Sequence, residues 1–215
     1  MPIVDDTMAL IAAERRTLAD LVDTLDESQL RTQSLCSAWT AHDIAAHVLM
    51  PLVTPVRRVL ITLAASGFDF SKANVKLTAR VAGKPAAEIA QGLRDRAESR
   101  FHPPGMGLEA PLTDLLIHGQ DLRRPLGIGY TPPANAVRAA LDFLTTAKAE
   151  RAFRAKGILD GVSYEATDLS FAFGSGPVVR GRGIDLLLVM SGREGALDHV
   201  EGDGVDVLRA RPRRD

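Results

Sequence analysis

Cysteine is almost missing from this chain. Cys36 is the single one in 215 residues, so no intrachain disulfide can form, and the chain is expected in a reducing cytoplasm. Aromatic residues are scarce too, at 5% with one tryptophan, Trp39. Charge of one sign is also lacking: 26 Lys and Arg stand against 27 Asp and Glu, for a net charge of −1. Basic residues are scattered, which argues against a dedicated nucleic-acid surface. The tail from Arg209 to Arg214 is basic, and it reads as a frayed, solvated end. No apolar run approaches the ~20 residues of a membrane span. The acidic start at Asp5 and Asp6 lacks the basic residues of a signal peptide. Internal repeats and low-complexity tracts are absent. What is present is ordinary for a soluble globular protein, 46% apolar and 25% charged. The length suits one large domain or a domain with an appendage.

Against this plain background one stretch, Ser34 to Leu49, carries several signals at once. Thr40 suits an N-cap, its hydroxyl accepting from the free N–H groups of a first helical turn. Asp43, three residues on, can answer the cap and meets the positive end of the helix. Trp39 and Ile44 have the spacing of a hydrophobic staple. A helix is therefore predicted to start at Ala41 and to run to about residue 65, loosened by Pro51 just past His47.

His47 shares a face with Asp43, four positions earlier, among small and apolar neighbours. For one histidine alone, a core imidazole bonded to a neighbour is the commoner outcome. A second stretch, Pro111 to Leu122, alters the balance. Pro111 suits a first helical position, Asp114 and His118 lie four apart on one face, and Asp121 follows three further on. A carboxylate and an imidazole at this spacing can grip one divalent cation, with His47 arriving from another helix. Two histidines and one carboxylate leave positions open, as catalytic zinc or iron sites do. Asp43 and Asp121 are candidates to orient the two imidazoles from behind.

The remainder reads as helices and then a change of pattern. Residues 5 to 26 show an amphipathic period, with Leu18, Val22 and Leu25 on one side and Glu14, Arg15 and Arg16 as a solvated face. Cys36 reads as a small buried residue supporting Trp39. A third helix is expected to about Arg80, another from Pro85 to about Arg100, and another over about 132 to 155. Arg80, Arg94 and Arg96 are candidate anion contacts, with a solvated face as the default. Of these, Arg80 is retained as a substrate contact. His102 sits in a Pro- and Gly-rich loop, and His42 should point away from His47. Past Gly157, Val162 to Phe173 alternates like a strand, Val178 begins a return strand, Ile184 to Met190 forms a buried helix, and Asp198 to Leu208 reads as a turn before a last strand. The glycine pairs near 174 and 181 lack Walker spacing and a lysine, and read as turns. The expected organisation is an antiparallel four-helix bundle over residues 1–156, with a small α+β unit over 157–215 docked on it.

The segment from Leu35 to His47 resembles the signature of the mycothiol-dependent maleylpyruvate isomerase N-terminal family, within the DinB/YfiT-like metal-binding superfamily: a Cys-x-x-Trp-Thr start, then Asp, then Ala-His. Asp114 to Leu122, continuing through Arg123 to Gly127, is similar to the family's second signature, an acidic residue followed after three others by His-Gly-x-Asp-Leu. The resemblance implies a DinB-like bundle in which His47, Asp114 and His118 match the metal-ligand positions. One departure is Asp114, where the family more often has the longer Glu. The resemblance also implies a low-molecular-weight thiol cofactor, mycothiol, and isomerisation or thiol transfer on a small electrophile whose carboxylates arginines would hold.

Three functional readings stay open on the sequence. The first is a metal- and thiol-dependent isomerase or transferase, with a metal-dependent hydrolase as a narrower variant. The second is a metal-binding protein without turnover, with a homodimer as one form. The third is a helical bundle whose His and Asp satisfy each other. The expected ion is zinc, and the ligand set also suits iron or nickel.

Overall fold

The apolar period of the N-terminal segment closes into α1 (Pro2–Thr24), whose Ile11, Leu18 and Val22 are buried. This is a computed structural model that describes residues 2–150 and 152–211, without the side chains of residues 2–5. The side chain of Asp5, and Arg213 and Arg214 of the basic tail, lie outside the described residues. The architecture is mainly helical with a small C-terminal sheet, as the residue pattern predicts. Among the described residues no single helix is long and apolar enough to cross a membrane.

The chain divides into two compact units. The first runs to Phe101 and resumes over His118–Gly129. It holds α1, the single-turn α2 (Glu27–Leu30), α3 (Ala41–Val53), α4 (Val56–Ala65), α5 (Phe70–Ala82), α6 (Ala86–Asp95) and the C-terminal turns of α7 (Glu109–Arg123). α1 packs along α6, and α3 packs against both α5 and α6. The α3–α6 approach depends on Gly92, where a Cβ would lie 2.8 Å from the Leu49 side chain.

The single helix expected from 41 to 65 is two helices, meeting at a 119° bend. Pro51 is accommodated inside α3. Pro55 is not, because the residue before a proline is driven out of the helical region. Thr54 is accordingly extended, with φ −90 and ψ 118, and Pro55 becomes the N-cap of α4.

Glu14 and Arg15 of α1 are buried rather than solvated. The Arg15 Nη1 donates to the carbonyls of Arg96, Ala97 and Ser99 at 3.2, 2.9 and 2.7 Å. It thus holds the turn that follows α6 from another helix, with the C-cap Arg96 as the first of its three acceptors. Burial pulls the Arg15 guanidinium down to about 10, against a smaller opposing pull from Glu98. It remains a cation at neutral pH. His42 does the same for α5, with Nε2 2.9 Å from the Ala82 carbonyl.

The second unit holds residues 102–117 and continues from Tyr130. It contains the start of α7, then α8 (Ala134–Leu144), β1 (Ser163–Ala166), β2 (Ala172–Gly174), β3 (Val178–Gly181), α9 (Gly183–Met190), β4 (Val200–Glu201) and α10 (Asp203–Arg209). The sheet order is β2-β1-β3-β4, with β1 antiparallel to β2 and parallel to β3. The alternating stretch from Val162 to Phe173 is therefore two paired strands rather than one. α9 is buried throughout, Asp185 included, and packs on α8, as its apolar run from Leu186 to Met190 predicts. The last expected strand is instead the two-residue β4 followed by α10. Gly202 makes the turn at φ 101, with Val178 O only 2.4 Å from where a Cβ would stand. Beyond it Val205 and Leu208 are buried at a three-residue, helical spacing, with Asp203 and Asp206 in the first turn.

Candidate metal centre

A short loop builds the floor of the site before any titratable group enters. The Ser34 N–H and hydroxyl both donate to the Trp39 carbonyl, at 3.1 and 2.6 Å, and the Trp39 N–H donates to the Cys36 carbonyl at 3.0 Å. Gln33 and Thr40 form an isolated bridge beneath it. This narrow turn buries Trp39 and hands the chain to α3 at Thr40. There the capping box is complete: the Thr40 hydroxyl accepts from the Asp43 N–H, and Asp43 Oδ2 accepts from the Thr40 N–H at 3.0 Å and the hydroxyl at 2.7 Å. Cys36 is half-buried rather than buried, and its carbonyl is what holds the loop.

The imidazole of His47, buried on α3, stacks on the Trp39 indole with centroids 4.2 Å apart. His118 on α7 meets both rings edge-on, 4.6 Å from His47 and 5.6 Å from Trp39. Asp121, one turn beyond His118 and fully buried, lies with Oδ2 2.9 Å from His118 Nδ1. A carboxylate there fixes the Nδ1–H tautomer and turns Nε2 toward the cluster. The backbone carbonyl of the same Asp121 accepts from the Leu35 N–H at 3.1 Å. One residue therefore orients His118 and anchors the loop that carries Trp39. The adjacent Gly119 has a packing reason as well. Arg123 Nη1 donates to the Gly119 carbonyl at 3.0 Å, and a Cβ on Gly119 would stand 2.8 Å from that nitrogen.

Asp114 precedes His118 by one turn of the same continuous helix. His47, Asp114 and His118 each offer one ligand atom, and these atoms all lie within 4.8 Å of one another. Two of the three are buried and Asp114 is half-buried. First-row cations bind nitrogen and oxygen at about 2.0–2.2 Å, so the ligand atoms of a tetrahedral site sit about 3.4 Å apart. The cluster needs only a small side-chain closure to reach that. The indole Nε1 of Trp39 is buried with no hydrogen-bond partner, an orphaned donor beside the two imidazoles.

The other residues singled out by sequence lie elsewhere. Asp43 is engaged by Thr40, while His47 Nδ1 has the Thr78 hydroxyl of α5 at 3.3 Å, a partner no sequence signal indicated. Arg80 follows Thr78 by two residues, about 200° around the helix. It faces away from His47, into a groove with Arg58. Arg94 pairs with Asp20 and Asp23, whose hydrogen bonds hold its guanidinium above the ordinary range. Arg180 pairs with Glu165 and Arg182 with Asp168. His102 is exposed, beside the Pro103 carbonyl.

Residues 11–100 match the sequence family described as the mycothiol maleylpyruvate isomerase N-terminal domain. The match includes Trp39 and His47 and ends before Asp114. Two solved structures are similar over 94% of this chain and 93% of theirs: a mycothiol-dependent maleylpyruvate isomerase, at 15% identity and a TM-score of 0.56, and a histidine-to-alanine mutant of such an isomerase, at 17% and 0.60. At that identity the likeness is one of fold. No curated protein matches the chain in sequence.

Proposed function

We propose that this protein is a divalent-metal- and mycothiol-dependent isomerase or S-transferase acting on a small electrophile, since residues 11–100 match the mycothiol maleylpyruvate isomerase N-terminal domain family and the fold resembles that of such an isomerase over nearly the whole chain. The observation that carries this reading is the convergence of His47, Asp114 and His118 from two helices, with Asp121 buried behind His118. These three side chains would hold the ion. Two imidazoles and a carboxylate fit zinc, with iron or nickel as chemical alternatives. When bound, such an ion lowers the pKa of a coordinated water or thiol toward neutrality.

The chain's own residues supply the rest. Trp39 and the apolar wall around His47 exclude water from one side. Asp121 keeps the His118 proton on Nδ1, so that Nε2 carries the lone pair that a metal takes. The Trp39 N–H is a donor for an acceptor entering the cluster, the role an oriented donor takes when charge collects nearby. Asp114 reaches one methylene less far than Glu, which makes a tighter or weaker grip at that position. The thiol of the reaction would be the cofactor's, with Cys36 half-buried in the loop that carries Trp39. A reducing cytoplasm suits both.

Elemental analysis of the purified protein tests the first step, and calorimetry with mycothiol the second. Roughly one zinc per chain is expected in a three-ligand set with an open position, with loss of the metal in His118→Ala and loss of thiol binding along with it. Metal absent from the wild-type protein overturns the reading. Metal without thiol binding reduces it to a metal-binding protein.

A further inference from the structure

The far side of α3 from His47 carries a second place built for a ligand. Leu49 and Val53 lie about 200° and 240° around the helix from His47. They line a cavity of ≈ 530 Å³ together with Leu77, Arg80 and Val81 of α5, Arg58 of α4 and Arg96 after α6. A smaller cavity of ≈ 300 Å³ shares Arg58 and Arg80 and adds Arg57, Ile61 and Thr62. All of these residues belong to the first unit. The 119° bend at Pro55 is what makes this possible, because it swings α4 off the axis of α3 at the residue before Arg57 and Arg58.

The charge here is unbalanced. In the larger cavity Glu88 pairs with Lys84 at 3.1 Å and Asp95, which accepts from Gln91 at 2.7 Å, keeps its charge, so that two carboxylates face Arg58, Arg80, Lys84 and Arg96. The smaller cavity is lined by Arg57, Arg58 and Arg80 with no carboxylate among its described residues. Arg57, Arg58 and Arg80, all exposed, have no carboxylate within ion-pair distance among the described residues. By contrast Arg16, Arg94, Arg138, Arg180 and Arg182 each have one. Three guanidinium groups round one cavity repel each other until an anion sits between them, and their planar forks match the oxygens of a phosphate or carboxylate. The floor is apolar: Leu49, Leu77 and Val81 are buried side chains that close the groove from beneath. The larger volume is that of a small-molecule site.

We propose that this groove is a second binding site, separate from the metal cluster, for an amphipathic organic anion: an acidic head on Arg57, Arg58 and Arg80, and an apolar body along Leu49, Leu77 and Val81. The head can be a phosphate or a carboxylate, since both present the same oxygens to arginine. Helical phase keeps the site independent of His47, so it stands whether or not the metal chemistry does.

Calorimetry on the full chain tests it with four probes: octyl phosphate, octanoate, inorganic phosphate and octyl glucoside. Octyl phosphate or octanoate should bind at least tenfold tighter than inorganic phosphate and the neutral glucoside, and the tighter of the two identifies the head group. That binding should fall at least tenfold in Arg58→Ala/Arg80→Ala and weaken with added salt, while His118→Ala leaves it unchanged. Both arginines are exposed, so circular dichroism of the double variant should match the wild type. Equal binding of the glucoside, retention of binding in the double variant, or no binding of either acidic probe overturns the proposal. Loss of binding in His118→Ala overturns its independence from the metal cluster.

Discussion

The two sides of α3 treat charge in opposite ways. On the His47 side, polar groups are buried and held: His118 by Asp121, His47 by Thr78, the loop by the Asp121 carbonyl. On the Leu49 side, Arg57, Arg58 and Arg80 are exposed without a carboxylate. Arginine itself shows the contrast within one unit. Arg15 is buried and donates to three carbonyls in the turn that follows α6, whereas Arg58 is a lining residue with nothing to hold. The lesson is that a charge taken out of water must be completed by the fold, while a charge left at the surface is free for something the fold does not supply.

That contrast is most sharply tested by removing one arginine from each side. Arg15→Met keeps the aliphatic stem but takes the charged donor from the Ala97 and Ser99 carbonyls and leaves Arg96 only its bond from the Ser99 N–H, a loss of about 3 kcal/mol on the scale of buried carbonyls stripped of a charged partner. Arg58→Met should stay within about 0.5 kcal/mol of wild type, as surface substitutions do. Urea denaturation of the two variants decides it. Equal stabilities would mean that the three Arg15 bonds are replaced by water when they are lost.

Asp121 comes next. If the ion is bound as proposed, Asp121→Asn leaves the ligand set intact and disturbs only the proton on His118. Removing such a partner costs roughly 10- to 100-fold in metal affinity. Competition with a chromogenic chelator measures it, and an unchanged affinity would show that the Asp121 carboxylate serves packing alone.

How much of this was readable from the chain follows the range of each interaction. The start of α3 was legible because Thr40, Asp43, Trp39 and Ile44 state it locally. The spacing of Asp114, His118 and Asp121 was legible because one helical period places them, and the approach of His47 could be posed as a question across two helices. Asp43 was read in two roles, cap and partner to His47. The Thr40 N–H and hydroxyl hold Asp43 Oδ2 at the helix start, while His47 Nδ1 meets Thr78 on another helix. Arg15 was misread because its partners are backbone carbonyls more than 80 residues away, and carbonyls have no sequence signature. The break at Thr54 and Pro55 was written in the chain, but the apolar side continues past both prolines, so one helix was read through to about residue 65 with its weak point at Pro51 rather than Pro55. α10 was taken for a strand because seven residues after a glycine turn carry too little periodicity to separate the two.

Trp39→Phe sharpens the buried side further. Phenylalanine keeps a ring against His47 and removes the Nε1–H, which has no partner to lose. Metal affinity should then hold, while binding of mycothiol, proposed as the acceptor that this N–H meets, weakens by roughly 1 kcal/mol, the net worth of one neutral hydrogen bond. Calorimetry on the metal-loaded variant measures both. Unchanged thiol binding would remove the indole N–H from the site and leave Trp39 as a packing surface.

The smallest effect is expected at the solvent edge, where a charge is held but not buried. Asp26 caps α2, and its Oδ1 accepts from the Ser28 N–H and hydroxyl and from the Gln29 N–H at 2.7, 2.6 and 2.9 Å. The Ser28 hydroxyl first, and then the Gln29 N–H, hold its carboxyl below the usual value of 3.8. A carboxyl that binds its proton less readily when folded stabilises the fold above its unfolded pKa, and loses that contribution as pH falls through the folded value. Asn is as good an N-cap as Asp but does not titrate. The stability difference between wild type and Asp26→Asn should therefore be steady from pH 7 to 5 and change only below about pH 4, where unfolded aspartate takes up its proton. Urea melts at a series of pH values follow it. Were the difference the same at pH 3 as at pH 6, the cap would be working through hydrogen-bond geometry rather than through the ionised group, and the exposed side of the molecule would owe nothing to charge even where charge is held.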